Sequence, residues 1–150
     1  MILSLLVGIG LLLASLLSFG IATELIVGLA ARLVRAGYTG LAFWKNVAIM
    51  LIVLLVTAAV HLFQIALWAI AYLMLGEIST FETAFYCSAE NYTALGYGDI
   101  IFSERWRLLG PLEAINGLLL FGLSTALMFA VMNHLILNRL RAQHSPTPKE

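Results

Sequence analysis

The sequence contains little cysteine and little charge, and each shortage excludes a class of protein. The single cysteine, Cys87, cannot form a disulfide within the chain, and the three histidines do not follow a metal-binding spacing. The chain also lacks paired catalytic carboxylates, a nucleophile elbow and a phosphate-binding glycine loop. Only 11% of its 150 residues are charged, where a soluble domain carries about 25%. We therefore expect no enzyme, no nucleic-acid partner and no small-molecule substrate.

Apolar residues dominate what is present. They make up 62% of the chain and its mean hydropathy is +1.01, so we expect an integral membrane protein surrounded by lipid. Residues 1–23 carry no charge, and after Glu24 the apolar character resumes through residue 31. This run is long enough for a first transmembrane helix. A cleaved signal peptide is the alternative, but the run has no positive n-region and is longer than an h-region.

Basic residues mark one side of the membrane. Arg32, Arg35 and Lys45 have no acidic residue among them, so the positive-inside rule makes this loop cytoplasmic and the N-terminus external. We assign residues 1–45 to an additional N-terminal helix and its loop. Residues 46–76 contain no Asp, Glu, Lys or Arg, and they return the chain to the outer face as a second helix.

Four polar or aromatic residues share one face of this second helix. They are His61, Gln64, Trp68 and Tyr72. We interpret them as a seam against a neighbouring helix, with Trp68 and Tyr72 reaching the aromatic belt at the outer interface. A proton-sensing role for His61 is the less favoured alternative.

A short helix is predicted next. Ser79-Thr80-Phe81-Glu82 has the capping-box pattern, with Ser79 as the N-cap and Glu82 at the third helical position. The helix that it begins, residues 80–92, would be about 20 Å long and too short to span a bilayer. Because glycine-bearing backbone follows, we expect a re-entrant segment, which is tolerated at membrane depth where it is buried in protein or lines an aqueous cavity.

The last helix and the tail return the chain to the cytoplasm. Gly110 and Pro111 begin this helix, whose residues 114–138 are uncharged and long enough to cross inward. The tail over residues 139–150 is basic, so we place it inside. Residues 77–113 contain six acids and two arginines, which predicts an electronegative outer surface that concentrates cations.

The stretch between the short helix and the last helix carries the strongest signal. Its Gly96-Tyr97-Gly98-Asp99 core follows Tyr92-Thr93-Ala94-Leu95 and resembles the selectivity filter of the pore-loop potassium-channel superfamily, whose usual form is Thr-Val-Gly-Tyr-Gly-Asp. The sequence of residues 92–99 is similar to that of small bacterial members of the ion-channel family related to two-pore-domain channels. The resemblance covers residues 46–138. It implies an all-α membrane protein of a bacterial inner membrane, with three transmembrane helices and a re-entrant pore helix and filter loop between the second and third.

The resemblance also implies which groups bind the ions. The filter would be Ala94, Leu95, Gly96, Tyr97 and Gly98, and the backbone carbonyls of the first four would coordinate permeant K⁺, with no cofactor besides. Tyr97 would point away from the ions and pack against the pore helix. Ala94 departs from the family pattern, in which a threonine hydroxyl lines the innermost site. This departure predicts weaker discrimination between K⁺ and Na⁺.

Four residues are candidates for filter support: Tyr86, Glu90, Thr93 and Asp99. Glu90 falls where some bacterial potassium channels place a buried carboxyl behind the filter, and Asp99 where they place its partner, so the resemblance implies a carboxyl pair that shares one proton. The alternative is that Glu90 caps local backbone while Asp99 ends the loop in solvent. Thr93 is expected to face the helix.

One chain holds one filter segment, so a complete ring of carbonyls requires several copies, and the resemblance implies a homotetramer. Gly117 and Gly122 in the last helix are hinge candidates, and close helix packing is the alternative. The leading hypothesis is a tetrameric, K⁺-selective channel with passive, leak-like conduction. The alternatives are a weakly selective cation channel and a non-conducting membrane scaffold.

Overall fold

The residues that the structure describes form four helices. A computed structural model of the chain describes residues 1–33 and 43–144, and no strand occurs within them. The helices are α1 (Ile2–Leu33), α2 (Phe43–Met74), α3 (Phe81–Tyr92) and α4 (Leu109–His144). α1, α2 and α4 are long and apolar enough to cross a membrane, whereas α3 has only 12 residues. The prediction of an all-α fold with three membrane-spanning helices is confirmed.

The spanning helices follow from the uncharged runs of the sequence. Their apolar parts are 31, 31 and 29 residues long, or roughly 45 Å, which exceeds the ~30 Å hydrocarbon core and requires tilt or overhang. Large apolar side chains are exposed on all three, for example Leu17, Leu55, Leu62 and Phe129. Because so much exposed apolar surface is not stable in water, the chain contacts lipid through it.

α3 lies against both α2 and α4, and α1 packs against the same two helices. Three clusters of buried apolar residues hold this arrangement, and one of them, formed by Phe19, Ile65, Tyr92 and Leu120, joins all four helices. The cluster around α3 includes Trp68, Ala69, Tyr72, Ala84, Cys87, Trp106 and Leu109. The third cluster joins the other ends of the spanning helices through Ile26, Ile49, Val53, Leu127, Val131 and Leu135. The short helix is therefore held by α2 and α4 at one end of the bundle, and its Phe81 and Tyr86 side chains remain exposed.

α3 begins one residue later than the capping-box pattern predicts. Its N-cap is Thr80 and not Ser79, since Thr80 has extended backbone (φ −124°, ψ 145°) and its hydroxyl accepts the Thr83 N–H at 3.4 Å. Glu82 therefore lies at the second helical position, where a carboxylate still favours the positive end of the helix dipole. The prediction failed because two adjacent hydroxyl residues can each cap a helix, and only the backbone conformation decides between them.

α4 begins at Leu109 with Pro111 in its first turn, where a missing N–H costs nothing. At its other end the helix continues through His144, past the boundary expected at residue 139. The residues that follow position 138 include Leu, Arg, Ala and Gln, which are good helix formers, and the next proline is Pro146. The predictions for the loop around Arg35 and for residues 145–150 lie outside the described residues.

The seam predicted on α2 is confirmed, but it lies inside the protein. Gln64, Trp68 and Tyr72 are fully buried, so the expected position of Trp68 and Tyr72 in the interfacial belt was wrong. Two of these residues bind α1. Gln64 Nε2 donates to the Ser15 carbonyl and Trp68 Nε1 donates to the Ser15 hydroxyl, both at 3.2 Å. Since buried polar groups in a membrane need partners within the protein, the seam fixes α1 to the bundle.

Candidate functional site

Residues 94–98, here called the glycine segment, leave the end of α3 with an alternating backbone. Ala94, Gly96 and Gly98 have φ values of 56°, 58° and 77°, whereas Leu95 and Tyr97 between them do not have positive φ. Left-handed backbone at every second residue turns successive peptide groups in a way that a uniform strand cannot. Such alternation can bring consecutive carbonyl oxygens to one side, which is the arrangement that binds a dehydrated cation.

The first residue of the glycine segment also terminates α3. The Ala94 N–H donates to the Asn91 carbonyl and the Leu95 N–H donates to the Glu90 carbonyl, both at 2.9 Å. These two bonds around a left-handed residue, directly after the C-cap Thr93, form a Schellman motif. Ala94 thus occupies a position at which helices prefer glycine and at which a β-branched side chain is disfavoured. A small residue at 94 has a structural reason.

The side chains of the glycine segment do not pack on their own chain. Leu95 is 56% exposed and Tyr97 is 71% exposed, so the prediction that Tyr97 packs against the short helix is wrong for its own chain. A β-carbon added to Gly96 or Gly98 would meet no atom within 4 Å. These glycines are therefore required for their positive φ and not for lack of space.

Tyr86 lies between the two carboxyls that were predicted to pair. Its hydroxyl donates to Glu90 Oε1 at 2.9 Å. The hydrogen bond to Glu90, with a further contribution from Asp99, raises the pKa of the Tyr86 hydroxyl, which therefore keeps its proton and remains a donor. No hydrogen bond of the described residues joins Glu90 to Asp99 directly. A directly shared proton stays a prediction, and the observed hydrogen bond is the one from Tyr86 to Glu90.

His61 ties the last residue of α3 to α4. Its Nδ1 lies 2.7 Å from the Tyr92 hydroxyl and its Nε2 lies 2.7 Å from the Ser124 hydroxyl. The Ser124 hydroxyl donates its single hydrogen to the Leu120 carbonyl. Nε2 must therefore carry the hydrogen that it shares with Ser124, and Nδ1 accepts from Tyr92. The neutral ring satisfies both partners, which agrees with a structural role within the seam.

α4 touches the end of α3 through backbone. A β-carbon added to Gly117 would lie 1.9 Å from the Tyr92 carbonyl oxygen, so only glycine fits there. An added β-carbon at Gly122 would meet nothing within 4 Å, and this residue lies on the exposed side of α4. Gly117 therefore serves close packing, which was the alternative to a hinge. Bending at either glycine stays a prediction.

Glu113 belongs to the same site, although the sequence analysis did not include it. It is fully buried on α4, and its carboxyl contacts the Tyr72 hydroxyl of α2 and, at 2.5 Å, the Ser88 hydroxyl of α3. Ser88 and Glu90 are two residues apart on α3 and so point to roughly opposite sides of it. The signal that could have found Glu113 is its helical spacing to Asn116, a second fully buried polar residue in an apolar helix.

The acidic surface near α3 is weaker than predicted. Of the six acids in residues 77–113, Glu90 and Glu113 are buried and do not contribute. Glu77 accepts the N–H and the hydroxyl of Ser103, both at 2.7 Å, and so ties the loop after α2 to the loop before α4. Four acids against two arginines remain, so the surface is still negative, but less so than the count of acids alone indicates.

Side chains offer little to a cation. Within the ranges that the structure describes, no group of three His, Cys, Asp or Glu residues could hold a metal ion. Burial raises the pKa of the Cys87 thiol to about 12, so this thiol stays protonated and is a poor ligand. The donors best placed for a cation are the backbone carbonyls of the glycine segment.

Comparison with known protein families matches residues 48–134 to the Ion channel family. The match spans more than half of the sequence and contains α3 and the glycine segment. The chain belongs to the Ion channel family. This membership places the channel in the pore-loop potassium-channel superfamily, and α1 lies outside the matched residues. Comparisons with curated proteins and with solved structures gave no match.

The channel brings most of the predicted site residues to one end of α3. Tyr86 and Glu90 lie on one face of this helix, and the glycine segment and Asp99 follow directly. Thr93 faces the helix as predicted, because its hydroxyl donates to the Ala89 carbonyl at 2.7 Å. Gly117 lies against the Tyr92 backbone at the end of α3, whereas Gly122 does not.

Proposed function

We propose that this ion channel is a homotetrameric, K⁺-selective channel with passive conduction. The observation that carries the proposal is positive φ at Ala94, Gly96 and Gly98, every second residue directly after a short helix. This backbone suits a column of carbonyl oxygens, from residues 94–97, that replaces the hydration shell of K⁺. In this proposal α3 is the re-entrant pore helix and residues 94–98 are the selectivity filter.

The position of α3 supports the proposal electrostatically. The C-terminal end of a helix carries partial negative charge that acts within its last turn, and the proposed filter leaves α3 at this end. A cation near the end of α3 is therefore favoured. The irregular backbone that follows is exposed in the single chain, so at membrane depth it requires the aqueous pore and the neighbouring copies of the proposed tetramer.

The exposed side chains of the filter support assembly from several copies. One chain contributes one filter strand, and a ring of carbonyls needs more. Leu95 and Tyr97 are uncovered in the single chain, so in the proposed tetramer a neighbouring copy covers Tyr97. Gly122, Ala126 and Ala130 lie on the exposed face of α4 at four-residue spacing, and small residues allow helices to approach closely in a membrane.

Charge placement supports an external N-terminus and a cytoplasmic C-terminus. Arg32 ends the span of α1, Lys45 lies at the start of α2 and Arg139 lies near the end of α4. Successive crossings bring these three ends to the same side of a membrane, and basic residues favour the cytoplasmic side. The resemblance to small bacterial channels supports the inner membrane of a bacterium as the location.

A weakly selective cation channel is the second candidate function. Ala94 favours it, because alanine has no hydroxyl to add to the carbonyls at the innermost site. A third candidate is a non-conducting scaffold that keeps the channel fold. A flux experiment distinguishes this scaffold from both kinds of channel.

Substitution of Gly98 tests the proposed filter. Full-length wild type and Gly98→Ala are reconstituted into proteoliposomes, and K⁺ and Na⁺ fluxes are measured under imposed gradients. An alanine held at φ 77° is strained by about 1–2 kcal/mol, so we expect K⁺ flux to fall about tenfold or more. We expect wild-type K⁺ flux to be well above its Na⁺ flux.

Gly76→Ala is the matched control. Gly76 has a similar φ of 73° and equally open surroundings, but it lies in the loop after α2. The proposal expects flux to survive this substitution. Equal losses in the two variants would contradict a specific role of Gly98. Equal K⁺ and Na⁺ fluxes in wild type would favour the weakly selective cation channel. An absence of flux from a verified tetramer would favour the non-conducting scaffold.

A further inference from the structure

Glu113 joins α2, α3 and α4 through a continuous chain of oxygen contacts. Its Oε2 contacts the Tyr72 hydroxyl, its Oε1 lies 2.5 Å from Ser88 Oγ, and Ser88 Oγ lies 2.7 Å from the Ile65 carbonyl oxygen. The side chains of Glu113, Tyr72 and Ser88 are all fully buried. The contacts therefore begin and end on α2 and hold α3 from the side that carries Ser88.

The number of available hydrogens decides the state of the carboxyl. Each of the three contacts needs one hydrogen between its two oxygens. Tyr72 and Ser88 supply one each, and the Ile65 carbonyl supplies none. With Glu113 protonated on Oε1, the acid donates to Ser88, Ser88 donates to Ile65, and Tyr72 donates to Oε2. With Glu113 ionised, Ser88 has one hydrogen for two contacts. The contact that receives no hydrogen then places two acceptor oxygens against each other.

The groups that face Glu113 offer hydrogen bonds but no positive charge. α2 presents Tyr72, α3 presents Cys87, Asn91 and Tyr92, and α1 contributes Val7 and Leu11 to the same core. None of these side chains carries a positive charge. A buried carboxylate without a cationic partner is far more costly than the buried acid.

We infer that Glu113 is a protonated carboxylic acid that positions the pore helix against α2 and α4. The inference rests on the proposed function, because only there is α3 the pore helix. Ser88 lies about one turn before the end of α3, and Glu90 on the other side of the helix is bonded to Tyr86 beside the filter. Loss of the Glu113 proton removes one contact from the chain and loosens the helix. K⁺ flux should therefore fall as the pH rises.

Infrared spectroscopy of the full-length channel in lipid at neutral pH tests the inference without any ion flux. The carbonyl stretch of a protonated carboxylic acid is separate from the bands of a carboxylate. We expect the protonated-acid absorption of wild type to contain a component that Glu113→Gln lacks and that Glu90→Gln keeps. A spectrum in which Glu113→Gln leaves this band unchanged would overturn the inference.

Ser88→Ala provides a second variant in case Glu113→Gln does not fold. This substitution removes the acceptor of the acid hydrogen and leaves Glu113 in place. The protonated-acid band should then move to higher frequency, because its hydrogen bond is lost. A band at the wild-type frequency would show that Glu113 does not donate to Ser88, which overturns the inference.

The pH profile of K⁺ flux tests the positioning role. A glutamine at 113 can donate an N–H to Ser88 and accept from Tyr72, so flux at neutral pH should stay within about twofold of wild type, without the alkaline decline. An alkaline decline in Glu113→Gln equal to that of wild type would overturn the role. If wild type conducts at no pH, the proposed function fails, while the infrared spectra still decide whether Glu113 holds the proton.

Discussion

At the scale of single residues, Ala94 has two tasks with different requirements. As the left-handed residue of the Schellman motif it closes α3, and as the first residue of the proposed filter it provides the innermost carbonyl. Left-handed backbone costs a residue with a β-carbon about 1–2 kcal/mol. A threonine would add a β-branched side chain at the same φ, which is less favourable still. The backbone therefore explains why alanine is tolerated where related filters have threonine.

Ala94→Gly should raise the free energy of unfolding by about 1 kcal/mol, because glycine adopts a φ of 56° without strain. Thermal unfolding of the detergent-solubilised protein, followed by circular dichroism, measures this change. Ala126→Gly in the interior of α4 is the control and should lower stability by roughly 0.5–1 kcal/mol. Destabilisation by both substitutions would show that Ala94 is not left-handed in solution.

Some properties of single residues could be predicted from the sequence and others could not. The motif identified residues 94–98 and the neighbouring Glu90, because a filter is read from consecutive residue types. The capping role of Ala94 was not predictable, since positive φ at a residue other than glycine leaves no trace in composition. Glu113 was counted only among the six acids of residues 77–113, and only tertiary contacts with Tyr72 and Ser88 reveal its partners.

At the scale of secondary structure, α3 is the element that the other helices position. α2 binds it through His61 and the Ile65 carbonyl, and α4 contacts it at Gly117 and Glu113. The contact at Gly117 differs from the others because it is backbone against backbone. Such a contact cannot adjust by changing a rotamer, so it sets the distance between α4 and the end of α3.

Gly117→Ala should therefore be the most damaging small substitution in α4. Its β-carbon would lie 1.9 Å from the Tyr92 carbonyl oxygen, and we expect a loss of about 1–3 kcal/mol or more from overpacking. Gly122→Ala is the matched control, and it should be neutral or stabilising by up to about 1 kcal/mol because alanine favours helix. Unfolding of both variants in detergent makes the comparison, and equal effects would contradict the packing described for Gly117.

The helices themselves were largely predictable from the sequence. The three spanning helices follow from uncharged runs, and the charge of a run is a local property that needs no tertiary information. Helix ends were less predictable. Ser79 and Thr80 can each cap α3, and the favourable residues after position 138 extend α4 beyond its apolar part.

At the scale of the whole molecule, the chain buries its polar links and leaves its proposed filter uncovered. Gln64 and Glu113 are fully buried, whereas Tyr97 is 71% exposed. α1, outside the residues matched to the family, is bonded to the seam of α2 through Ser15. The single chain therefore has hydrogen bonds between its helices and an uncovered proposed filter, which fits the proposed assembly of identical subunits.

The reversal potential of wild-type channels in a planar bilayer, with K⁺ on one side and Na⁺ at equal concentration on the other, tests the central claim most directly. The account predicts a potential tens of millivolts in the direction expected for K⁺ selectivity. Ala94→Ser restores a hydroxyl without β-branching and should increase that potential further. A wild-type reversal potential near zero, or no current from verified tetramers, would contradict a K⁺-selective filter built on residues 94–98.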